Sequence, residues 1–230
     1  MRNRKYLIGA LVGVIGALAF SGTASAVPTS QTLQTTLSPA KQSPKVFGGV
    51  SLHNIISTNF DNFATSQSPK TTTFTIDPNV KFVPGNIPVC QLSQIQNKPT
   101  AQAQAACPQS ITGSGSVEAN GGALKGQVTF FRGASPQDIF VHTDLANGAL
   151  ILDIIGSIQG KLLVFSNIPN TPGNVLTKFD TTFNKRKTGK KTYYVEARCK
   201  KGAWKTSETT NFYSGETLQA SSTGKCKKKR

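Results

Sequence analysis

The chain has 230 residues, with 26 Lys and Arg against 10 Asp and Glu and a formal net charge of +16. At this length one sizeable core is the default, so an array of several domains is excluded. With two histidines and no G-x-S-x-G elbow, H-E-x-x-H pair, Walker lysine or EF-hand loop, it carries none of the motifs of the common hydrolytic, zinc-dependent or nucleotide-driven chemistries.

At the N-terminus Arg2, Arg4 and Lys5 precede an apolar run from Tyr6 to Phe20, and Ala24-Ser25-Ala26 follows. This order predicts a secretory signal peptide over 1–26, its apolar run being shorter than the roughly 20 residues of a spanning helix. No cysteine follows the cleavage point, so a lipoprotein anchor is not indicated. Residues 27–45, VPTSQTLQTTLSPAKQSPK, are rich in Ser, Thr, Gln and Pro and read as a flexible leader. Residues 46–230 then form a single domain.

From there short β-branched and aromatic runs alternate with Gly, Pro, Asn and Asp, the rhythm of an all-β sandwich or barrel. Strands are predicted over 50–57, 71–76, 80–83, 110–118, 123–131, 139–144, 149–158, 161–166, 175–184, 192–199, 203–213 and 217–222. One helical insertion interrupts them, because Pro99-Thr100 and AQAQAAC supply a proline, a capping hydroxyl and strong helix formers before Pro108 stops the turn. The GSGS at 113–116 lacks a following G-K-[ST] and reads as a strand start or bulge.

Three polar features within these strands could carry chemistry. In DIFVHTD, period two places Asp138, Phe140, His142 and Asp144 on one face, which could make a general base or a weak metal corner. The plainer reading, and the one favoured, is a solvent face with Ile139 and Val141 turned inward. His53 reads as an exposed strand position. Asp153, inside LILDIIG, is the acid expected to be buried, where a raised pKa could give it a catalytic role; equally it marks the outward face of an edge strand.

The C-terminal region reads as FDTTFN, a basic turn KRKTGKK, then TYYVEARC, in which Tyr193, Val195, Ala197 and Cys199 share the inward face. Two further strands follow antiparallel to it, and this would bring Cys199 and Cys226 to the same end of a sheet. The cysteines Cys90, Cys107, Cys199 and Cys226 allow three pairings; Cys90–Cys107 and Cys199–Cys226 are favoured, each closing a loop of about 20 residues for roughly 3 kcal/mol. A zinc site competes poorly, since there is no Cys-x-x-Cys pair. Trp204, close to a disulfide, reads as core rather than as a sugar-stacking platform.

The order FTIDPNVKFVPGNIPVC, TAQAQAACPQSITGSGS, YYVEARC and NFYSGETLQASSTGKC resembles a family of exported, uncharacterised actinobacterial proteins. The resemblance spans roughly residues 50–227. It implies an exported β-rich domain and supplies no catalytic residues.

The fold class expected is therefore all-β, an antiparallel β-sandwich of Ig-like or jelly-roll-like kind with one short helical insertion. Charge is concentrated late in the chain, where residues 185–230 hold 14 Lys and Arg against Glu196, Glu208 and Glu216. Lys185, Arg186, Lys187, Lys190, Lys191, Lys227, Lys228 and Lys229 are the anion-binding candidates. The expectation is a secreted or cell-envelope binding protein without enzymatic activity, associating with anionic cell-wall polymers or a membrane surface. The bland alternative is that these lysines keep a secreted protein soluble and blunt its sheet edges. No catalytic residue, metal or cofactor is assigned. Export excludes intracellular nucleic acid, and the oligomeric state is open. The alternative function is a secreted carbohydrate-binding module or hydrolase on the same scaffold, which needs an exposed Trp204 or paired acids in a cleft.

Overall fold

The structure is a computed structural model and describes residues 27–229. The expected signal peptide over 1–26 lies outside the described residues. In chain order the first strands are β1 (Pro28–Ser38), β2 (Lys41–Gln42), β3 (Gly48–Gly49), β4 (Ser51–Phe60), β5 (Pro69–Thr75) and β6 (Val80–Phe82). Helices α1 (Leu92–Ile95) and α2 (Thr100–Ala106) follow. Then come β7 (Ile111–Ala119), β8 (Leu124–Arg132), β9 (Asp138–Leu145), β10 (Leu150–Gln159), β11 (Leu162–Phe165) and β12 (Leu176–Phe183). The last are β13 (Val195–Ala197), β14 (Ala203–Phe212), β15 (Thr217–Lys225) and β16 (Lys227–Lys228).

The fold is all-β, as the sequence indicates, and eleven strands form one antiparallel sheet in the order β1-β4-β12-β7-β8-β9-β10-β11-β5-β14-β15. The two layers are opposite walls of this one sheet, which coils until its first and last strands meet. At that seam the Thr35 amide donates to Ser222 Oγ at 2.8 Å, and Gln31 Nε2, beside it on β1, donates to Thr210 Oγ1 of β14 at 3.2 Å. No backbone ladder joins β1 to β15 among the described residues, so the molecule is a near-barrel. Close approach in β7 helps the coiling: a Cβ on Gly115 would run into the Asp180 carbonyl and Thr181 Cα of β12, so only glycine fits there.

The flexible leader expected over 27–45 is replaced by β1. Its register with β4 runs from Pro28 opposite Phe60 to Ser38 opposite Ser51. The physical reason is period two: Leu33, Thr35 and Leu37 alternate inward and are buried, which composition alone conceals.

Inward faces alternate cleanly in β4 and β14. In β4 these are Leu52, Asn54, Ile56, Thr58 and Phe60; in β14, Trp204, Thr206, Glu208, Thr210 and Phe212. The end of the barrel marked by Leu52 and Phe183 is called the base here. A three-stranded sheet β3-β13-β6 lies against it, with the Val50 amide donating to Val195 O at 3.0 Å and the Val83 amide to Tyr194 O at 2.7 Å. Phe82 sits edge-on to Phe183 and Tyr194, with ring centroids 5.2 and 5.6 Å away.

Here the sequence reading needs a second correction. The strand expected over 192–199 does not lie beside β14; β13 leaves the main sheet and pairs with β3 and β6. Nor does it have one outer face, because Tyr194 and Glu196 are buried as well as Val195 and Ala197. Both expected disulfides nevertheless form, Cys90–Cys107 with Cα atoms 5.7 Å apart and Cys199–Cys226 with Cα atoms 5.9 Å apart. The β14–β15 hairpin suffices to bring Cys226 back to the start of β14, where its amide donates to Gly202 O at 2.8 Å.

Candidate functional site

Between the walls of the barrel is a cavity of about 120 Å³. Its apolar wall is built by Phe130, Val141, Ile154, Leu163 and Phe165, one or two residues from each of β8 to β11. The rest of its lining comes from β1, β4, β5, β12 and β14, where Gln31, Asn54, Thr72, Thr181, Glu208 and Thr210 make a polar stretch among apolar Leu52, Ile56, Phe74 and Phe179. Aromatic clusters lie at the two ends, Phe82, Phe183 and Tyr194 at the base and Phe60, Phe63 and Phe212 at the other. At about 24 cal/mol per Å³, leaving this space empty costs roughly 3 kcal/mol of stability for the 120 Å³.

Glu208 is the unusual residue in that wall, being 2 % exposed. Thr210 Oγ1 donates to its Oε1 at 3.3 Å, and Thr72 Oγ1 and Gln31 Nε2 both lie 3.2 Å from the same Thr210 hydroxyl. Glu208 Oε2 and Gln31 Oε1 are buried with no hydrogen-bond partner among the described residues. Burial pushes the Glu208 carboxyl up to about 7, against the opposing pull of the Thr210 hydroxyl and the neighbouring Gln31 amide. Sequence reasoning missed this acid. The signal was present in AWKTSETTNF, where period two puts Glu208 on the same face as Trp204 and Phe212.

The second feature is the charge at the base. Cys226 anchors the chain end there, and β16 runs parallel to β2 with Lys227 opposite Lys41. The turn before β14 adds Lys200 and Lys201, and Lys225 faces Ala203 across the β14–β15 ladder. All of Lys41, Lys200, Lys201, Lys225, Lys227, Lys228 and Lys229 are exposed. The turn after β12 leaves the barrel at the same end, carrying exposed Lys185, Lys187, Lys190 and Lys191. Lys185 Nζ lies 5.3 Å from the Tyr193 ring centroid, while Lys81 Nζ and the Arg198 guanidinium stack on Phe47 at 4.5 and 4.6 Å. Glu196 in this region is buried and paired to Lys81 at 3.2 Å, and the partly buried Asp77 accepts from the Lys205 amide at 3.0 Å near the start of β14.

Arg186 does not belong with these cations. Its guanidinium donates to the backbone carbonyls of Gln109 and Ile111, and partial burial lowers its pKa. It ties the basic turn to the start of β7.

The favoured reading of DIFVHTD is overturned, since neither face of β9 meets solvent. His142 is fully buried, with Nδ1 2.7 Å from Asp153 Oδ1. What covers it is the helical insertion, whose Ile95 and Ala103 pack with the Cys90–Cys107 bridge against Phe131 and Phe140. Asp153 Oδ2 accepts from the Asn97 amide at 3.2 Å, and Asp144 Oδ2 accepts from the Thr100 amide at 2.9 Å at the first turn of α2. These acids and the histidine therefore dock the insertion. Asp138 is spent locally, its Oδ2 accepting from the Ser135 amide at 3.0 Å.

Asp153 is of intermediate burial with its side chain 7 % exposed, and Glu208, Glu196 and Asp144, not this residue, are the buried acids. His53 is half-exposed, as expected of its strand position, and lies 2.7 Å from Asp180. Trp204 is core at 2 % exposure and donates from Nε1 to Arg198 O at 2.9 Å. All four cysteines are in disulfides, so none is available to a metal.

No protein-family model matches this chain, and no curated protein or solved structure matches it either.

Proposed function

We propose that this is an exported, non-enzymatic binding protein that attaches to anionic polymers of the cell surface through the basic base of its barrel. Export is supported by the signal-peptide pattern at the N-terminus, and two disulfides fit an oxidising compartment. The observation that carries the reading is convergence. Lysines distant in sequence, from Lys41 to Lys229, share one end of the molecule, where the buried Glu196 is already neutralised by Lys81. Such a cluster makes a field reaching a Debye length of about 8 Å at physiological salt.

The alternative of a carbohydrate-binding module or hydrolase loses its support. Trp204 is buried, so it offers no stacking platform, and Asp144 and Asp153 are occupied by backbone amides of the insertion.

The test is retention of the secreted chain on immobilised polyphosphate, a simple phosphate-rich polymer. Elution should shift steeply with added salt. A triple Lys227→Gln, Lys228→Gln, Lys229→Gln variant should elute much earlier than a charge-matched Lys70→Gln, Lys125→Gln, Lys178→Gln variant, whose changes lie toward the other end. Absent retention, or equal loss from both variants, rejects the proposal.

A further inference from the structure

We propose that the barrel interior is a binding site for a small, largely apolar molecule bearing one hydroxyl group, which donates to Glu208. This site is independent of the lysine cluster and lies inside the sheet rather than on its surface.

Three observations converge on it. The cavity measures about 120 Å³, a size at which an apolar site holds a single ring of about six to eight heavy atoms. Its lining is mostly apolar, with Phe130, Val141, Ile154 and Leu163 offering no polar partner, and the Gln31–Thr210–Glu208 chain forms a short polar wall within it. Finally, the polar wall is short of donors. Glu208 Oε2 and Gln31 Oε1 are both acceptors, both buried, and both without a partner among the described residues. Buried acceptors are normally satisfied by protein or ordered water, and in this mostly apolar space a ligand hydroxyl can supply the same hydrogen.

The chemistry sets the selectivity. A purely apolar ring of the same size would fill the volume yet leave the two oxygens unpaired, and a site built to bond a hydroxyl discriminates against the analogue lacking it. Burial also raises the Glu208 pKa, yet in either protonation state the carboxyl keeps an oxygen able to accept, so the preference persists across neutral pH.

The probes are p-cresol and toluene, which differ by one hydroxyl and fit the same volume. Binding to the secreted, disulfide-intact chain is read by calorimetry and by ligand-observed NMR. The native protein should bind p-cresol at least ten-fold more tightly than toluene. Glu208→Leu, which replaces the acid with an apolar group of similar size, should erase that preference while toluene still binds. Gln31→Leu, made from β1 rather than β14, should weaken the preference and serves as the second variant if Glu208→Leu does not fold. Leu163→Phe, filling the apolar wall, should abolish binding of both. Failure of p-cresol to bind at millimolar concentration overturns the proposal, as do equal affinities for the two probes or a p-cresol preference that survives Glu208→Leu. Neither result bears on polyphosphate retention.

Discussion

His142 and Asp153 are register partners across the β9–β10 ladder, and His142 Nδ1 lies 2.7 Å from Asp153 Oδ1 under the helical insertion. Because Asp153 also accepts the Asn97 amide, one carboxylate holds both the sheet and the segment that covers it. Asp153→Ala should leave the buried His142 ring nitrogen unpaired while the exposed Asn97 amide turns to water, and cost about 1–3 kcal/mol. Denaturant unfolding measures the loss. Hydrogen exchange should rise first over 92–106, and uniform exchange instead would show that the insertion is held by its apolar contacts alone.

The two disulfides should fail in different ways. Replacing Cys90 and Cys107 by alanine opens a loop of sequence separation 17 and should cost about 3 kcal/mol, with early cleavage by protease between Cys90 and Cys107. Replacing Cys199 and Cys226, separated by 27, should cost a similar amount, about 3 kcal/mol, and free the lysines after Cys226 from β2. Limited proteolysis followed by mass mapping separates the two patterns.

Glu208 makes stability depend on pH in an unusual direction for an acid. Its carboxyl moves from an ordinary value of 4.5 to about 7 on folding, so the folded chain keeps a proton that the unfolded chain releases between those values. Stability is therefore full below about pH 4.5 and falls as pH rises to about 7, then levels off. Glu208→Gln should remove the slope, matching the native protein at pH 4 and exceeding it at pH 8 by up to about 3 kcal/mol. Thermal melting at the two pH values checks it, and a native protein more stable at pH 8 than at pH 5 would contradict the burial of this acid.

Arg186 separates structural from surface charge. Arg186→Gln should destabilise by about 1–3 kcal/mol, since the carbonyls of Gln109 and Ile111 lose a charged donor. Lys187→Gln, at an exposed position, should change stability by less than about 0.5 kcal/mol. Melting curves of the two variants decide the point.

Legibility in the sequence followed periodicity. The β14 strand was readable because its alternation is local, β7 to β10 because short β-branched and aromatic runs are bounded by Gly, Pro and Asn, and the insertion because Pro99 and its alanines specify a helix without outside help. Leader residues 27–45 were misread because their composition is polar, although Leu33, Thr35 and Leu37 keep a strict period of two. β13 was misassigned for a different reason. Its alternation is genuine, but its partners Gly48–Gly49 and Val80–Phe82 lie far away in sequence and carry no mark of the pairing.

The site divides along the same line. The lysines after Cys226 could be counted from sequence, but their meeting with Lys41 depends on a parallel pairing that no local pattern announces. His142 and Asp144 looked like a solvent face because nothing in β9 reveals that a segment some 40 residues earlier will cover it. Glu208 was overlooked because acids were weighed as pairs rather than by the face they share with aromatics.

Where β1 meets β14 and β15, side chains rather than a ladder hold the rim together, and Gln31 and Thr210 belong both to that junction and to the polar lining within. A barrel wall laced by backbone bonds opens only by partial unfolding. This line can part by exchanging a few side-chain contacts for water, which makes it the doorway of least resistance to the interior and the place where occupancy and breathing of the wall are coupled.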